Sequence, residues 1–184
     1  GYYAQQAFLG YQSYLLNYDT ENNSFFSLAK YENGVNQDHL IFSSGFNNQA
    51  SLNLSWQFKD NLYWGVNLNF NDVLVEKELR HVESNFDSDS PITDIDFRNY
   101  LTTNGNGFSV QAGLIYKIGT VRLGVSYSTP TYYNFEDNLE QYIKTNSIDL
   151  DNVTYTDIVD PNVTNVYLYD FKSPSKLAFM IIHL

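Results

Sequence analysis

Ala50-Ser51-Leu52-Asn53-Leu54-Ser55-Trp56-Gln57-Phe58 alternates apolar and polar side chains without a break. After Lys59-Asp60-Asn61 the alternation resumes through Leu62, Trp64, Val66, Leu68 and Phe70, with Tyr63, Gly65, Asn67 and Asn69 opposite. Successive strand residues point to opposite faces, so a strict period of two reads as a strand, and two such runs around a tight turn read as a hairpin. The design recurs at Phe108, Val110, Ala112, Leu114, Tyr116 and Ile118. It turns at Gly119-Thr120 and returns through Val121, Leu123, Val125 and Tyr127.

Working outward, further strands are expected at about 37–48, extending the first hairpin, and at about 163–172 and 175–184. In the last of these Leu177, Phe179 and Ile181 alternate with Ala178, Met180 and Ile182, so both faces are apolar. Such a strand is either central in a sandwich or part of a larger assembly. The stretches 71–107 and 130–162 are polar and acidic and read as long loops, against turns of two or three residues at 59–61 and 119–120. Outer-membrane barrels have short turns at one end and long loops at the other; a soluble β-sandwich can share that asymmetry. The polar faces hold Asn, Ser, Gln and Gly with very few charges, which suits a lumen wall. Trp56, Phe58, Leu62 and Trp64 cluster on the apolar face near the short turn, where an interfacial aromatic girdle would sit, although aromatics also pack well in any strand.

The N-terminal segment has another period. Ala4, Ala7, Phe8, Tyr11, Tyr14 and Leu15 gather on one side of a helix over 4–16, with Gln5, Gln6, Gln12 and Ser13 elsewhere. The helix is either an ordinary packing element or a loop helix whose apolar face holds a hydrophobic ligand. Turn-forming residues from Asn17 to Ser24 end it.

Composition narrows the function. The 184 residues include 16 Tyr, 13 Phe and 2 Trp, no Cys, and a net charge of −11 from 10 Lys+Arg and 21 Asp+Glu. So acidic a chain lacks the basic face that phosphate neutralisation needs, which argues against nucleic acid as a partner. Without Cys there are no disulfides, thiolate zinc sites or cysteine nucleophiles. Mean hydropathy is −0.36, which predicts a soluble protein by bulk measure. That measure misses barrels, whose alternating strands average out. No apolar run is long enough for a membrane-spanning helix, and the first residues lack a signal-peptide pattern, so the chain is expected to be processed or partial.

Three segments carry a resemblance. Asn61-Leu62-Tyr63-Trp64-Gly65-Val66-Asn67-Leu68-Asn69-Phe70, then Gly105-Asn106-Gly107-Phe108 through Gly113-Leu114-Ile115-Tyr116-Lys117, then Arg122-Leu123-Gly124-Val125-Ser126-Tyr127-Ser128-Thr129-Pro130 resemble the FadL-type family of outer-membrane transporters for long-chain fatty acids and other hydrophobic compounds. Ala7 to Asp19 is similar to a stretch preceding these strands in that family. The resemblance implies a barrel of roughly fourteen antiparallel strands with a lumenal hatch, extracellular helices that capture an apolar ligand, and lateral exit through the wall. About six strands are expected here and even the smallest bacterial barrels need eight, so the expectation is an all-β fold, an antiparallel transmembrane β-barrel present in part as a single domain over 1–184. The family's hatch motif is absent. The implied function is passive binding or passage of fatty acids or other hydrophobic small molecules in the outer membrane of a Gram-negative bacterium. Under that role Phe8, Tyr11 and Leu15 are candidates for the ligand groove, or anchors of the helix to the barrel rim. Lipid and lipopolysaccharide would surround the barrel. The alternatives are a FadL-like scaffold subunit with an outer-membrane protein partner, and a soluble all-β surface module.

Catalytic chemistry is not legible. His39, His81 and His183 stand on separate segments without ligand spacing, no Gly-x-Ser-x-Gly elbow occurs, and Gly105-Asn106-Gly107 lacks the third glycine and the helix of a dinucleotide site and reads as a strand start. No cofactor and no metal are expected, and an enzyme is the least supported class. Asp87-Ser88-Asp89-Ser90 resembles the opening of a calcium loop but lacks the glycine and terminal glutamate of an EF-hand, so it reads as a solvated loop. A charge-based alternative has divalent cations bridging the acidic loops to lipopolysaccharide.

Overall fold

The computed structural model describes residues 2–183, with side chains from Ala4 onward. One helix, α1 (Tyr2–Gln12), precedes ten strands: β1 (Leu16–Asp19), β2 (Ser24–Ser27), β3 (Asn36–Phe58), β4 (Leu62–Ser84), β5 (Ile92–Ile118), β6 (Val121–Ser128), β7 (Tyr132–Ile148), β8 (Thr154–Val159), β9 (Asn165–Lys172) and β10 (Lys176–His183). The fold is all-β. β1 and β2 form a hairpin, and the other eight strands form one sheet along the path β10-β6-β5-β4-β3, with β7 paired to β5, β8 and β9. β3 and β10 end that path, so the described strands make an open sheet rather than a closed barrel.

Alternating side chains give the two short hairpins their strands, and left-handed residues close them. Lys59 (φ 57°) turns β3 into β4, and Gly119 (φ 57°) turns β5 into β6. The second hairpin runs in unbroken register from Ile118↔Val121 to Gln111↔Ser128, and β10 continues it from His183↔Val121 to Lys176↔Ser128. Proline, which cannot donate to a ladder, interrupts the sheet between β6 and β7 at Pro130 and between β9 and β10 at Pro174. The neighbouring residues keep the strands in place. Thr129 N donates to Val110 O (2.8 Å), Ser173 N to Thr131 O (3.0 Å) and Thr131 N to Ser173 Oγ (2.9 Å).

Several expectations are corrected. Residues 71–107 and 130–162 are mostly strand, the connections shrinking to 85–91, 149–153 and 160–164. Many charges in these stretches sit on strands, and Arg80 on β4 is matched with Asp96 on β5 (2.8 Å), so polarity there marks a wetted strand rather than a loop. The sheet accordingly holds eight strands instead of about six, and β3 takes in the 37–48 segment whole. Gly105 and Gly107 lie inside β5 rather than at its start. A Cβ on Gly105 would sit 2.2 Å from Cε1 of Phe135, and one on Gly107 would sit 2.5 Å from Cδ1 of Tyr133. Aromatic rings on β7 therefore cover the glycine backbone of β5.

Strands of 23–27 residues are more than twice the 9–11 that a membrane crossing takes, and the chain divides into two compact units. The first unit comprises Gly1–Ser44, Glu76–Thr102 and Asp137–Val166. Its core is Leu9, Ile92, Ile95 and Ile143, with Leu15, Leu28, Phe86, Phe97 and Val159 against it. The second comprises Gly45–Val75, Thr103–Glu136 and Tyr167–Leu184. Within it β3 approaches β4 so closely at Gly45 (φ 153°) that a Cβ there would fall 2.2 Å from Leu74 O.

The helix is shorter than the expected 4–16 and is turned around. Tyr14 takes a left-handed conformation (φ 60°) just past the helix end, and Leu15 falls beyond the helix. Leu9 and Ser13 are the buried side chains, whereas Ala4, Ala7, Phe8, Tyr11 and Tyr14 are exposed. The polar residues meet the sheet, with Gln6 donating to Gln141 (3.0 Å), Asn165 to Gln5, and Thr145 Oγ1 to Ser13 O (2.9 Å). The packing surface supplied by β5 and β7 is itself rich in amides, and side chains that complete its hydrogen bonds dock there at lower cost than aromatic rings.

Candidate functional site

The second unit has its polarity inverted. On one face of the sheet the amide and hydroxyl residues of β3, β4 and β5 form a ladder: Ser51 Oγ donates to Asn69 Oδ1 (2.7 Å), Asn53 bonds Asn67, Asn67 Nδ2 donates to Gln111 Oε1 (3.2 Å) and Asn69 Nδ2 to Ser109 Oγ (3.5 Å). Asn69, Asn71 and Ser109 are buried, at 9%, 8% and 7% exposure. The other face is apolar and open. Leu54 (66%), Trp56 (67%), Phe179 (76%) and Ile181 (77%) are exposed, Trp56 and Trp64 stack with centroids 6.4 Å apart, and Phe70 meets Phe108 at 5.3 Å. The cross-strand rungs Leu114–Val125–Phe179 and Tyr116–Leu123–Ile181 carry the apolar face over β5, β6 and β10. Water selects the opposite arrangement, with the large apolar side chains inside.

A cavity of about 520 Å³ opens among Asn53, Tyr63, Asn67, Gln111, Ile115 and Met180, with further lining from the same strands and β6. That volume falls among small-molecule sites. Gly65, Gly113 and Gly124 leave its floor low; a Cβ on Gly124 would already press on Met180 Cε at 3.0 Å.

Charge is divided as unequally as polarity. The first unit carries five Lys and Arg against 17 Asp and Glu, net −12, and the second five against four, net +1. In the first unit the charges are largely engaged. Asp96 accepts from both Arg80 (Nη2, 2.8 Å) and Arg98 (Nη2, 2.9 Å), Arg98 also approaches Glu78 (3.7 Å), and its guanidinium lies 5.4 Å from the centre of the Tyr142 ring. Hydrogen bonds from Arg98 and then Arg80 outweigh burial and hold the Asp96 carboxyl at about 2. Asp87 receives Glu32 N (2.6 Å) and Asn33 N (3.2 Å), and Asp89 pairs with Lys30 (2.7 Å), so the segment resembling a calcium loop instead fastens the 30–33 turn. Asp149 closes its own turn by accepting from Asp151 N and Val153 N, both 2.9 Å away, and its pKa is lowered chiefly by the Val153 bond. Among the described residues no group of three or more His, Asp or Glu side chains is arranged to hold a metal ion.

Of the ligand candidates named from sequence, Phe8 and Tyr11 stand on the exposed side of α1, Tyr11 meeting Phe25 edge-on at 6.1 Å. Leu15 packs against the core of the first unit, so the three do not line one groove. The cavity, the amide ladder and the meeting of His39 with His81 (5.7 Å between ring centres) depend on register between strands. Single-strand periodicity shows which residues share a face but not which rungs they occupy. Comparison with known proteins returns no matching family model and no matching curated relative.

Proposed function

We propose that the chain forms part of the wall of a β-barrel in the outer membrane of a Gram-negative bacterium, and that the barrel binds or passes fatty acids or other hydrophobic small molecules without chemical energy. The observation that carries this reading is the inverted second unit, where one face is apolar, aromatic and exposed while the other carries a hydrogen-bonded amide ladder whose Asn69, Asn71 and Ser109 are buried. A lipid-facing wall with a polar lumen has that distribution, and an aqueous β-sandwich has the reverse. The charge division supports it, since the near-neutral unit is the one with the apolar face and the −12 unit suits water. The FadL-type resemblance supplies the ligand class. Passage then needs only a graded series of apolar contacts, each buried methylene contributing about 0.8 kcal/mol.

A scaffold subunit is the second reading. The unpaired edges of β3 and β10 favour it, because each is free to receive a strand of another protein. Neither reading assigns the chain an enzymatic activity. Extraction of the native protein, a heat-modifiability gel and mass spectrometry of co-purifying small molecules separate the readings. A folded, detergent-dependent species carrying fatty acid is the expected result. Protein partners alone would move the assignment to the scaffold, and a water-soluble monomer would remove the membrane barrel.

A further inference from the structure

The rung next to the cavity of the second unit is cationic. Along β5, β6 and β10 the rungs on its side run Gly113–Ser126–Ala178, then Ile115–Gly124–Met180, then Lys117–Arg122–Ile182. The first two rungs line the cavity. The third sets two cations directly opposite one another, an arrangement that is destabilising between cross-strand partners, whose Cβ atoms lie only about 5 Å apart. Neither takes part in any of the ion pairs among the described residues. Lys117 Nζ lies 5.8 Å from the centre of the Tyr63 ring, which itself lines the cavity. Arg122 Nε is shielded from solvent and has no hydrogen-bond partner. A buried donor left in this state is costly, and more so when charged. One anion between the two side chains would relieve both the repulsion and the orphaned donor.

We propose that Lys117 and Arg122 form a head-group site for an amphipathic anion whose apolar tail lies in the cavity over Ile115 and Met180. The ligand is then oriented, its charge toward the Gly119-Thr120 turn and its tail toward the amide ladder. Arginine binds carboxylate or phosphate through paired N–H groups and lysine adds a point charge, so either head group fits. This assignment rests on the cavity reading under the proposed function, and the test separates the two.

The full chain in zwitterionic lipid nanodiscs, with empty nanodiscs as reference, is titrated with dodecanoate, dodecyl phosphate and dodecan-1-ol, which share one tail. Binding is read by isothermal titration calorimetry. At least one anion is expected to bind about tenfold more tightly than the alcohol, as a charge-assisted hydrogen bond supplies. Which anion does so identifies the head group. K117Q and R122Q should each erase that preference, bringing the anions down to the alcohol's affinity, whereas R122K, keeping the charge, should retain part of it. Equal binding of all three ligands by the unaltered chain overturns the head-group site and leaves the cavity reading standing. Binding of none of them overturns both. An anion preference that survives in K117Q and R122Q together places the head group elsewhere and overturns the proposal.

Discussion

Replacing Leu54 with arginine tests the solvent that the apolar face was built for. Leu54 is two-thirds exposed on β3 and four residues from Phe58 at the strand end. Four residues cover about 13 Å of strand, and at a tilt of about 40° this puts Leu54 about 10 Å above the turn, near the middle of an apolar band about 25 Å tall. Arginine at that depth on a lipid face costs about 2–4 kcal/mol. At an exposed strand position in water the same change usually stays within about 0.5 kcal/mol. The two solvents thus predict folding constants that differ by about 100-fold for one substitution. The assay is reversible denaturant unfolding of the wild type and L54R in phospholipid vesicles, with Gln57→Arg on the opposite face as the control for charge alone. L54R should lose about 3 kcal/mol and Q57R well under half of that. An L54R protein within about 0.5 kcal/mol of wild type in vesicles would refute the lipid-facing assignment.

The remaining predictions concern packing and charge. Gly45→Ala places a Cβ 2.2 Å from Leu74 O, backbone that cannot swing aside, so the variant should lose more than about 3 kcal/mol in denaturant unfolding or fail to fold. Gly107→Ala meets the Tyr133 ring instead, and a double-mutant cycle with Tyr133→Ala should show the glycine change costing less once the ring is gone, with a coupling above about 0.5 kcal/mol. Asp96 ionises more readily folded than unfolded, so it stabilises fully above its ordinary value near 3.8 and progressively less as pH falls toward about 2. Unfolding measured at successive pH values should show wild type exceeding Asp96→Asn by about 2 kcal/mol at neutral pH, with the difference shrinking below pH 4.

Much of the sheet was legible because its faces are chemically distinct. From Ala50 to Phe70 and from Phe108 to Tyr127 apolar and polar residues alternate so strictly that strand, turn and face follow from spacing alone. Legibility failed where both faces of a strand are polar. In Glu76-Lys77-Glu78-Leu79-Arg80-His81 and Glu136-Asp137-Asn138-Leu139-Glu140 polar side chains occupy both faces, and the period vanishes although the backbone ladder continues. The helix failed for a different reason. Its apolar side was expected to pack or to hold a hydrophobic ligand, but the surface offered by β5 and β7 presents Asn99, Gln141 and Thr145, which only polar partners satisfy. The cavity and its cationic rung stayed hidden because Lys117 and Arg122 become neighbours only through the β5–β6 register, and the rungs acquire a third member only through β10.

Among the described strands the outer edge of β3 is open to pairing with another chain. Over 23 residues the strand has a single charged side chain, Asp38, and neither a lysine nor a proline, the devices that ordinarily keep exposed edges from recruiting one another. Its unpaired N–H and C=O groups face outward at full strand length, next to side chains as apolar as Leu52, Leu54 and Trp56. Self-association along this edge therefore competes with productive pairing and grows with concentration. A strand or loop that covers this edge would suppress that competition.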